Sequence, residues 1–273
     1  MCIRDSVNTV QASIMTSIIA SNGIYPNLRI VPGDQEDNRT LGISKKNLFL
    51  IQKGLLGVVN DRDGTGFHAR SDGKLAGKTG TAQVISKRSK DYNLGEFKNH
   101  GWYTSYYPFE DPKIVITVFV ENGVSGGRSG GPITKNIVNY YKYMRKNDIF
   151  ACYTVLPPQG ARKPELYERE GMTVPTLRVT DEDDNGVTLN GMKMLGTSAV
   201  FSNETWVGNL LPLGPNQERE SITCAVPLNV EGVSIWSRKP LENYAVTEFD
   251  NPLSGRFDES DALVIFEDVK VPW

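Results

Sequence analysis

Apolar positions along the chain change their period three times. Val7, Val10, Ile14 and Ile18 recur at helical spacing, and Asn22-Gly23 stops that helix. A second helix is predicted from Ser44, a residue suited to the N-cap, with Leu48, Ile51, Leu55 and Val59 along one face. Asn60–Gly66 is rich in turn formers, and Leu75–Ile85 reads as a strand interrupted by small residues. Gly101–Tyr107 and Ile114–Val120 read as two more strands about a Glu110-Asp111-Pro112 turn. Gly123–Gly131 reads as a flexible break before helical periodicity resumes over Ile133–Met144. From about Val174 short strands take over: Leu177–Val179, Val187–Leu189, Thr205–Leu210, Ile222–Pro227, Val233–Trp236 and Ala262–Phe266. Turns such as Asp184-Asn185-Gly186 and Glu231-Gly232 separate them, which predicts a small antiparallel barrel or sandwich. The class is α+β, in two units.

Composition supports that division. The chain has 273 residues, 39% of them hydrophobic, which excludes collagen, coiled coil and a disordered tail. Its net charge of −2 carries no nucleic-acid signature. The charge is unevenly placed, however. Residues 1–139 hold 17 Lys and Arg against 12 Asp and Glu, and residues 140–273 hold 13 against 20. The expected domains are therefore 1–139 and 140–273, with the junction somewhere in 132–149. No apolar run approaches the ~20 residues that span a bilayer, and Met1–Ser6 has none of the apolar core of a signal peptide. Cys2, Cys152 and Cys224 have no ligand spacing, and His68 and His100 lack companions, so no metal site is expected.

Two constellations carry chemistry. In the first, Lys78-Thr79-Gly80 lies on a predicted strand and is followed by Thr81. Lys78 supplies a fixed charge, Thr79 and Thr81 supply hydroxyl donors, and Gly80 gives clearance for a substrate beside the backbone. A strand N–H there can help hold an oxyanion. The order GKTGTAQV, HGWYTSYYP, DPKIVITVFVENG and then a Gly/Ser-rich turn resembles the C-terminal part of penicillin-binding protein transpeptidases of the elongation-type class 2 group, over residues 7–140. The resemblance implies a truncated penicillin-binding or β-lactamase-like sheet-and-helix unit. It also implies that Lys78, Thr79, Gly80 and Thr81 line an acyl-transfer site for peptidoglycan stem peptides and β-lactams. That family needs a nucleophilic Ser-x-x-Lys. Ser13, Ser17, Ser21, Ser44 and Ser86 have no Lys at the third step, and the segment is expected to lack its nucleophile.

The second constellation joins Tyr153–Arg162 to Gly191–Ser198. Pro157-Pro158 forces an extended turn, after which Gln159, Gly160 and Arg162 offer donors and a cation, while Thr197 and Ser198 offer hydroxyls at a strand end. Residues from about 145 onward resemble the flavin-dependent 4-hydroxyphenylacetate 3-hydroxylase family, carried by NDIFACYTVLPPQGAR, GMKMLGTSAVFSNETWVGNLLPL and FDNPLSGRFDESDALVIFEDVKVPW. The implied fold is the acyl-CoA dehydrogenase-like middle β-barrel. The implied cofactor is reduced FAD, with O₂ as co-substrate, a phenol as substrate and a separate flavin reductase as partner. By that resemblance Tyr153, Thr154, Val155, Gln159, Gly160, Ala161 and Arg162 face the flavin, with Thr197 and Ser198 near its reactive edge. Tyr153, Asn209 and Leu210 fall at the phenol pocket. Tyr153 stands where the better-defined hydroxylases carry His, and it will not ionise near neutral pH.

Both resemblances are partial, since the hydroxylase family's flanking helical regions and the transpeptidase family's upstream elements have no counterpart here. The two families also work in different places, outside the cytoplasmic membrane and in the cytoplasm. The chain reads as a chimeric open reading frame, a fusion of two enzyme fragments without turnover. The alternatives are a working flavin-binding fragment acting on a phenol, and a non-enzymatic product of sequence misassembly.

Overall fold

The computed structural model describes residues 7–29, 39–86, 88–91, 94–239, 247, 249, 252–253 and 260–273. Contacts divide the chain into Met1–Tyr143 and Met144–Trp273. Helix and sheet are mixed. Among the described residues no helix is long and apolar enough to cross a membrane.

In the first unit α1 (Thr9–Ala20) starts on a capping box, where Asn8 Oδ1 accepts from the Gln11 N–H at 2.9 Å and Gln11 Oε1 accepts from the Asn8 N–H at 3.0 Å. It stops where Asn22 (φ 59°) and Gly23 (φ 95°) turn left-handed. The short strands β1 (Ile24–Tyr25) and β2 (Arg39–Thr40) form a ribbon. Helix α2 (Lys45–Asn60) is capped by Ser44, whose Oγ accepts from the Asn47 N–H at 3.2 Å. Its inward face differs in one place from the apolar spacing. Ile51 is 43% exposed. Gln52 turns inward instead, donating to Ile19 O at 2.8 Å and tying α2 to α1. That hydrogen bond satisfies a carbonyl near the end of α1, which an isoleucine could not do.

Strands β3 (Ala76–Ala82), β4 (His100–Tyr107) and β5 (Ile114–Val120) form one antiparallel sheet in the order β3-β4-β5. Alternation along β4 serves two cores. Tyr103 and Tyr107 pack with Val59, Ile116 and Val138 of α3 (Gly131–Asn147), whereas Tyr106 packs with Ala20 and Ala76. Small residues on α1 let it close on the sheet. There a chain of hydroxyls runs from Ser13 to Thr117 (2.8 Å), Thr117 to Thr104 (2.9 Å) and Thr104 to Thr16 (2.7 Å).

Gly123–Gly131 is not a flexible break. Gly126–Gly130 winds as a π-helical turn directly into α3, and Gly126, Gly127 and Gly130 are buried. A Cβ on Gly126 would stand 1.9 Å from Trp102 O and 2.6 Å from Gly80 O, and one on Gly127 would stand 2.2 Å from Thr65 O. These glycines let one backbone lie against another, a use invisible to a composition rule that equates Gly and Ser with looseness.

In the second unit β6 (Ala151–Thr154), β9 (Glu204–Val207) and β10 (Cys224–Pro227) form one sheet. Strands β7 (Arg178–Asp183), β8 (Gly186–Lys193), β11 (Val233–Ser237) and β12 (Ala262–Pro272) form another, in the order β11-β12-β8-β7. The short helix α4 (Pro164–Arg169) lies between β6 and β7 in sequence. One core, including Leu177, Leu189, Val207, Val226, Val264 and Phe266, serves both sheets. The expectation of wholly antiparallel pairing is corrected. Strand β6 was not foreseen, and it pairs parallel to β9, Cys152 opposite Thr205. Its four residues, between Phe150 and Val155, are too few for a period to show.

Gly126→Ala is expected to lower stability by about 1–3 kcal/mol or more, because the added methyl meets backbone that cannot rotate away. Urea denaturation measures this, and an unchanged midpoint contradicts the packing described.

Candidate functional site

In the first unit β3 is the edge of its sheet, and each residue of the triplet has a fixed partner on β4. Lys78 lies opposite Thr104, Thr79 opposite Tyr103, Gly80 opposite Trp102 and Thr81 opposite Gly101. Lys78 and Thr81 are exposed, and Lys78 Nζ donates to Thr79 O. Thr79 Oγ1 lies 2.9 Å from Thr65 Oγ1, a partner the sequence reading did not pick out. The space beside Gly80 holds Trp102, whose Cβ is 3.1 Å from where a Cβ on Gly80 would stand. That glycine therefore serves packing against β4 on its side-chain face. Beneath the triplet, Tyr103 is buried and donates to Gly66 O at 3.3 Å, and burial pushes its hydroxyl above the ordinary tyrosine range.

The expected absence of a Ser-x-x-Lys needs correction, because Ser71-Asp72-Gly73-Lys74 has that spacing. It is not on a helix, where residues three apart would be neighbours. Gly73 is left-handed (φ 93°), and Lys74 Nζ turns away to Glu110 Oε1 at 2.8 Å. The ammonium beside Ser71 Oγ is that of Lys142, at 3.1 Å, which also donates to Asp72 O and lies over the Tyr107 ring. Ser71, His68, Arg70 and Lys135 line a cavity of about 830 Å³ that none of Lys78–Thr81 reaches. His100 opens β4, with Nδ1 accepting from the Asn122 N–H at 3.0 Å. His68 lies in a short 3₁₀ turn. Among the described residues no group of three or more His, Cys, Asp or Glu is placed to hold a metal.

In the second unit the two predicted stretches meet. Leu156 bridges Met194, whose N–H donates to Leu156 O at 2.8 Å. The third stretch joins them, as Gly208 N–H donates to Thr154 O at 3.1 Å and Leu210 N–H to Val155 O at 3.3 Å. Tyr153 is 54% exposed. Its hydroxyl approaches to 3.2 Å of the Cβ position of Gly208. The Thr154 side chain is fully buried, and its hydroxyl pairs with Thr205 Oγ1 at 2.8 Å, so any part it has in a flavin-facing surface falls to its backbone. Gln159, Gly160 and Ala161 lie in a 3₁₀ turn beside Tyr167, and the Arg162 side chain lies outside the described positions. Thr197 is exposed and donates to Asp261 Oδ1 at 2.6 Å. Ser198 is left-handed (φ 64°) and donates its N–H to Ser260 O at 3.1 Å.

Lys193 was missed. It is 2% exposed, and its Nζ donates to Asn209 Oδ1 at 2.6 Å. Its position two strand repeats from buried Leu189 was the available signal. Burial pushes the Lys193 ammonium below its ordinary range, partly offset by the Glu220 carboxylate. Burial likewise pushes Glu220 up, against the pull of Lys193 and Arg178.

Comparison with known proteins matches the penicillin-binding protein transpeptidase domain over residues 2–139 and the 4-hydroxyphenylacetate 3-hydroxylase N-terminal family over residues 98–273. The chain belongs to both families. The transpeptidase part is 39% identical over 101 residues to the peptidoglycan D,D-transpeptidase MrdA of Haemophilus influenzae, covering 34% of this chain and 16% of that protein. The hydroxylase part is 32% identical over 188 residues to the 4-hydroxyphenylacetate 3-monooxygenase oxygenase component of a Geobacillus species, covering 68% of this chain and 34% of that one. It is 30% identical over 147 residues to the FADH(2)-dependent monooxygenase TftD of Burkholderia cepacia, covering 54% and 27%. The chain thus spans about a third or less of each relative. The hydroxylase match begins at residue 98, well before the resemblance at about 145, and the two matches overlap over 98–139.

Two outcomes check this geometry. Thr154→Val is expected to cost about 1–3 kcal/mol by stranding the Thr205 hydroxyl, and the double change with Thr205→Val is expected to recover most of that. A double mutant as unstable as the sum of its singles contradicts the pair. Lys193 has a depressed midpoint, so stability rises as pH rises through it toward the ordinary lysine value. Glu220→Gln removes a favourable charge, and NMR titration of Lys193 should find its midpoint lower still; an upward move contradicts the placement.

Proposed function

We propose that the chain joins the triplet-strand wall of a D,D-transpeptidase site to the flavin-facing and phenol-facing part of a reduced-FAD-dependent aromatic hydroxylase. The observation that carries the second reading is the convergence of Val155, Met194 and Leu210 through the backbone hydrogen bonds just described. Three stretches distant in sequence make one surface there, as the family resemblance requires. On these stretches exposed Tyr153 and Gln159 would meet the carbonyl edge of a flavin, and Thr197 Oγ1, whose proton goes to Asp261, would accept from a ring N–H. The group supplies the O₂-activating redox chemistry when bound. The chain's own residues bind and orient: Leu210 presents an apolar side chain to a phenol ring, and Tyr153 offers a hydrogen bond to its oxygen. A phenol, O₂ and a flavin reductase are the implied partners.

For the first half, exposed Lys78 and Thr81 with half-buried Thr79 suit the carboxylate of a stem peptide or β-lactam. Acyl transfer also needs a nucleophile with a base beside it. Ser71 lies on a loop and not a helix, and its Lys74 is turned away to Glu110 Oε1 at 2.8 Å. This half recognises and does not turn over, and the fold is read as the penicillin-binding type followed by an acyl-CoA dehydrogenase-like middle barrel.

Fluorescent penicillin is expected to leave no covalent label; a label lost on Ser71→Ala overturns the reading of the first half. Because the flavin-facing donors sit on open surface, FAD binding is expected to be weak, saturating above ~100 µM, about −5.5 kcal/mol. Thr197→Ala and Tyr153→Ala should weaken it further. Tight binding indifferent to both changes would move the flavin elsewhere.

A further inference from the structure

We propose that Lys193 is the positioning residue of the candidate phenol surface, its buried ammonium fixing the Asn209 side chain and through it the Asn209-Leu210 backbone. This rests on the hydroxylase reading of the second half. Lys193 ends β8 and pairs with Val264 of β12, so its Cα is held by the four-stranded sheet. Asn209 follows β9 of the other sheet, and the 2.6 Å contact between them joins a strand of one sheet to a loop of the other.

The chemistry admits one orientation of Asn209. An ammonium only donates, so Oδ1 must face Lys193; a peptide carbonyl only accepts, so Nδ2 must face Glu220 O, 2.8 Å away. Both ends of the amide are thereby used within the protein. Each end keeps one further hydrogen-bonding position, and the side chain most open to substrate at this point is that of Leu210, 64% exposed. The rest of the loop is organised on the same point. Gln217 Nε2 donates to Glu220 Oε2 at 2.9 Å, Gln217 Oε1 accepts from the Gly214 N–H at 2.6 Å, and Arg219 Nη1 donates to Thr180 O at 3.1 Å. The charged groups acting there are the Glu220 carboxylate and, on Glu220, the Arg178 guanidinium. A charged donor gives a stronger hydrogen bond than a neutral one, which is reason for a lysine at a site where burial opposes it.

The test is NMR on the ¹⁵N-labelled intact chain, with 4-hydroxyphenylacetate as the added phenol. Lys193→Met should speed Leu210 amide exchange at least tenfold and shift the Asn209 side-chain amide, while β12 amides stay protected. Lys193→Arg should restore exchange to within about threefold of the parent, since a guanidinium also donates. The phenol should perturb the Leu210 amide in the parent and in the Arg protein, and not in the Met protein. Unchanged Leu210 exchange in Lys193→Met, or an Arg protein as fast as the Met protein, overturns the proposal. Should Lys193→Met unfold β12, Asn209→Asp decides: a carboxylate against the ammonium should raise the Lys193 midpoint by at least about one pH unit, and no rise overturns the contact. If the phenol perturbs nothing in the parent, the hydroxylase reading fails, and exchange and titration still decide the positioning role.

Discussion

Strand β4 is the constraint on which the first unit depends. It pairs along its length with β3 on one side and β5 on the other, and its alternating tyrosines supply both cores. It also carries Trp102, which fills the space beside Gly80 and lies under Gly126. The triplet strand is therefore aligned, packed and covered by way of one neighbour. This settles the physical allegiance of residues 98–139, which both family matches include. Their hydrogen bonds and core contacts belong to the unit that holds Lys78.

The second unit is built differently. Its two sheets share a core, and its candidate site residues collect where chain segments join those sheets: the Leu156–Met194 bridge, the Val155–Leu210 hydrogen bond and the Lys193–Asn209 contact. Buried polar groups there are paired in ways that set orientation. Thr154 takes Thr205, and Lys193 takes Asn209. Pairs of this kind add modest net stability yet are costly to break singly, which makes them positional devices more than sources of stability.

Much of this was legible in the residues, and the failures have physical causes. The helix start at Ser44 and the strand Ile114–Val120 follow from capping chemistry and period alone. The glycines at 126–130 were misjudged because a close backbone approach depends on a partner distant in sequence. Strand β6 was too short to show a period, and its parallel pairing is non-local. Of the candidate site, the triplet and the convergence of the two later stretches could be foreseen. The inward turn of Thr154 could not, since a threonine suits either face of a strand. Lys193 was in principle visible, two strand repeats beyond Leu189, but a lysine at an inward position is readily passed over for an exposed one. The Ser71-x-x-Lys74 spacing was visible too, and its loop geometry, not its absence, separates it from a helical nucleophile motif.

One chain carries two structural units from two families, with residues 98–139 physically in the first. Native-state hydrogen exchange in rising, sub-denaturing urea on the intact chain tests it directly. Amides of β4 and β5 are expected to lose protection together with those of β3, at one denaturant dependence, separately from the amides of β8 and β12. Exchange of β4 and β5 in step with β8 and β12, and apart from β3, would contradict it.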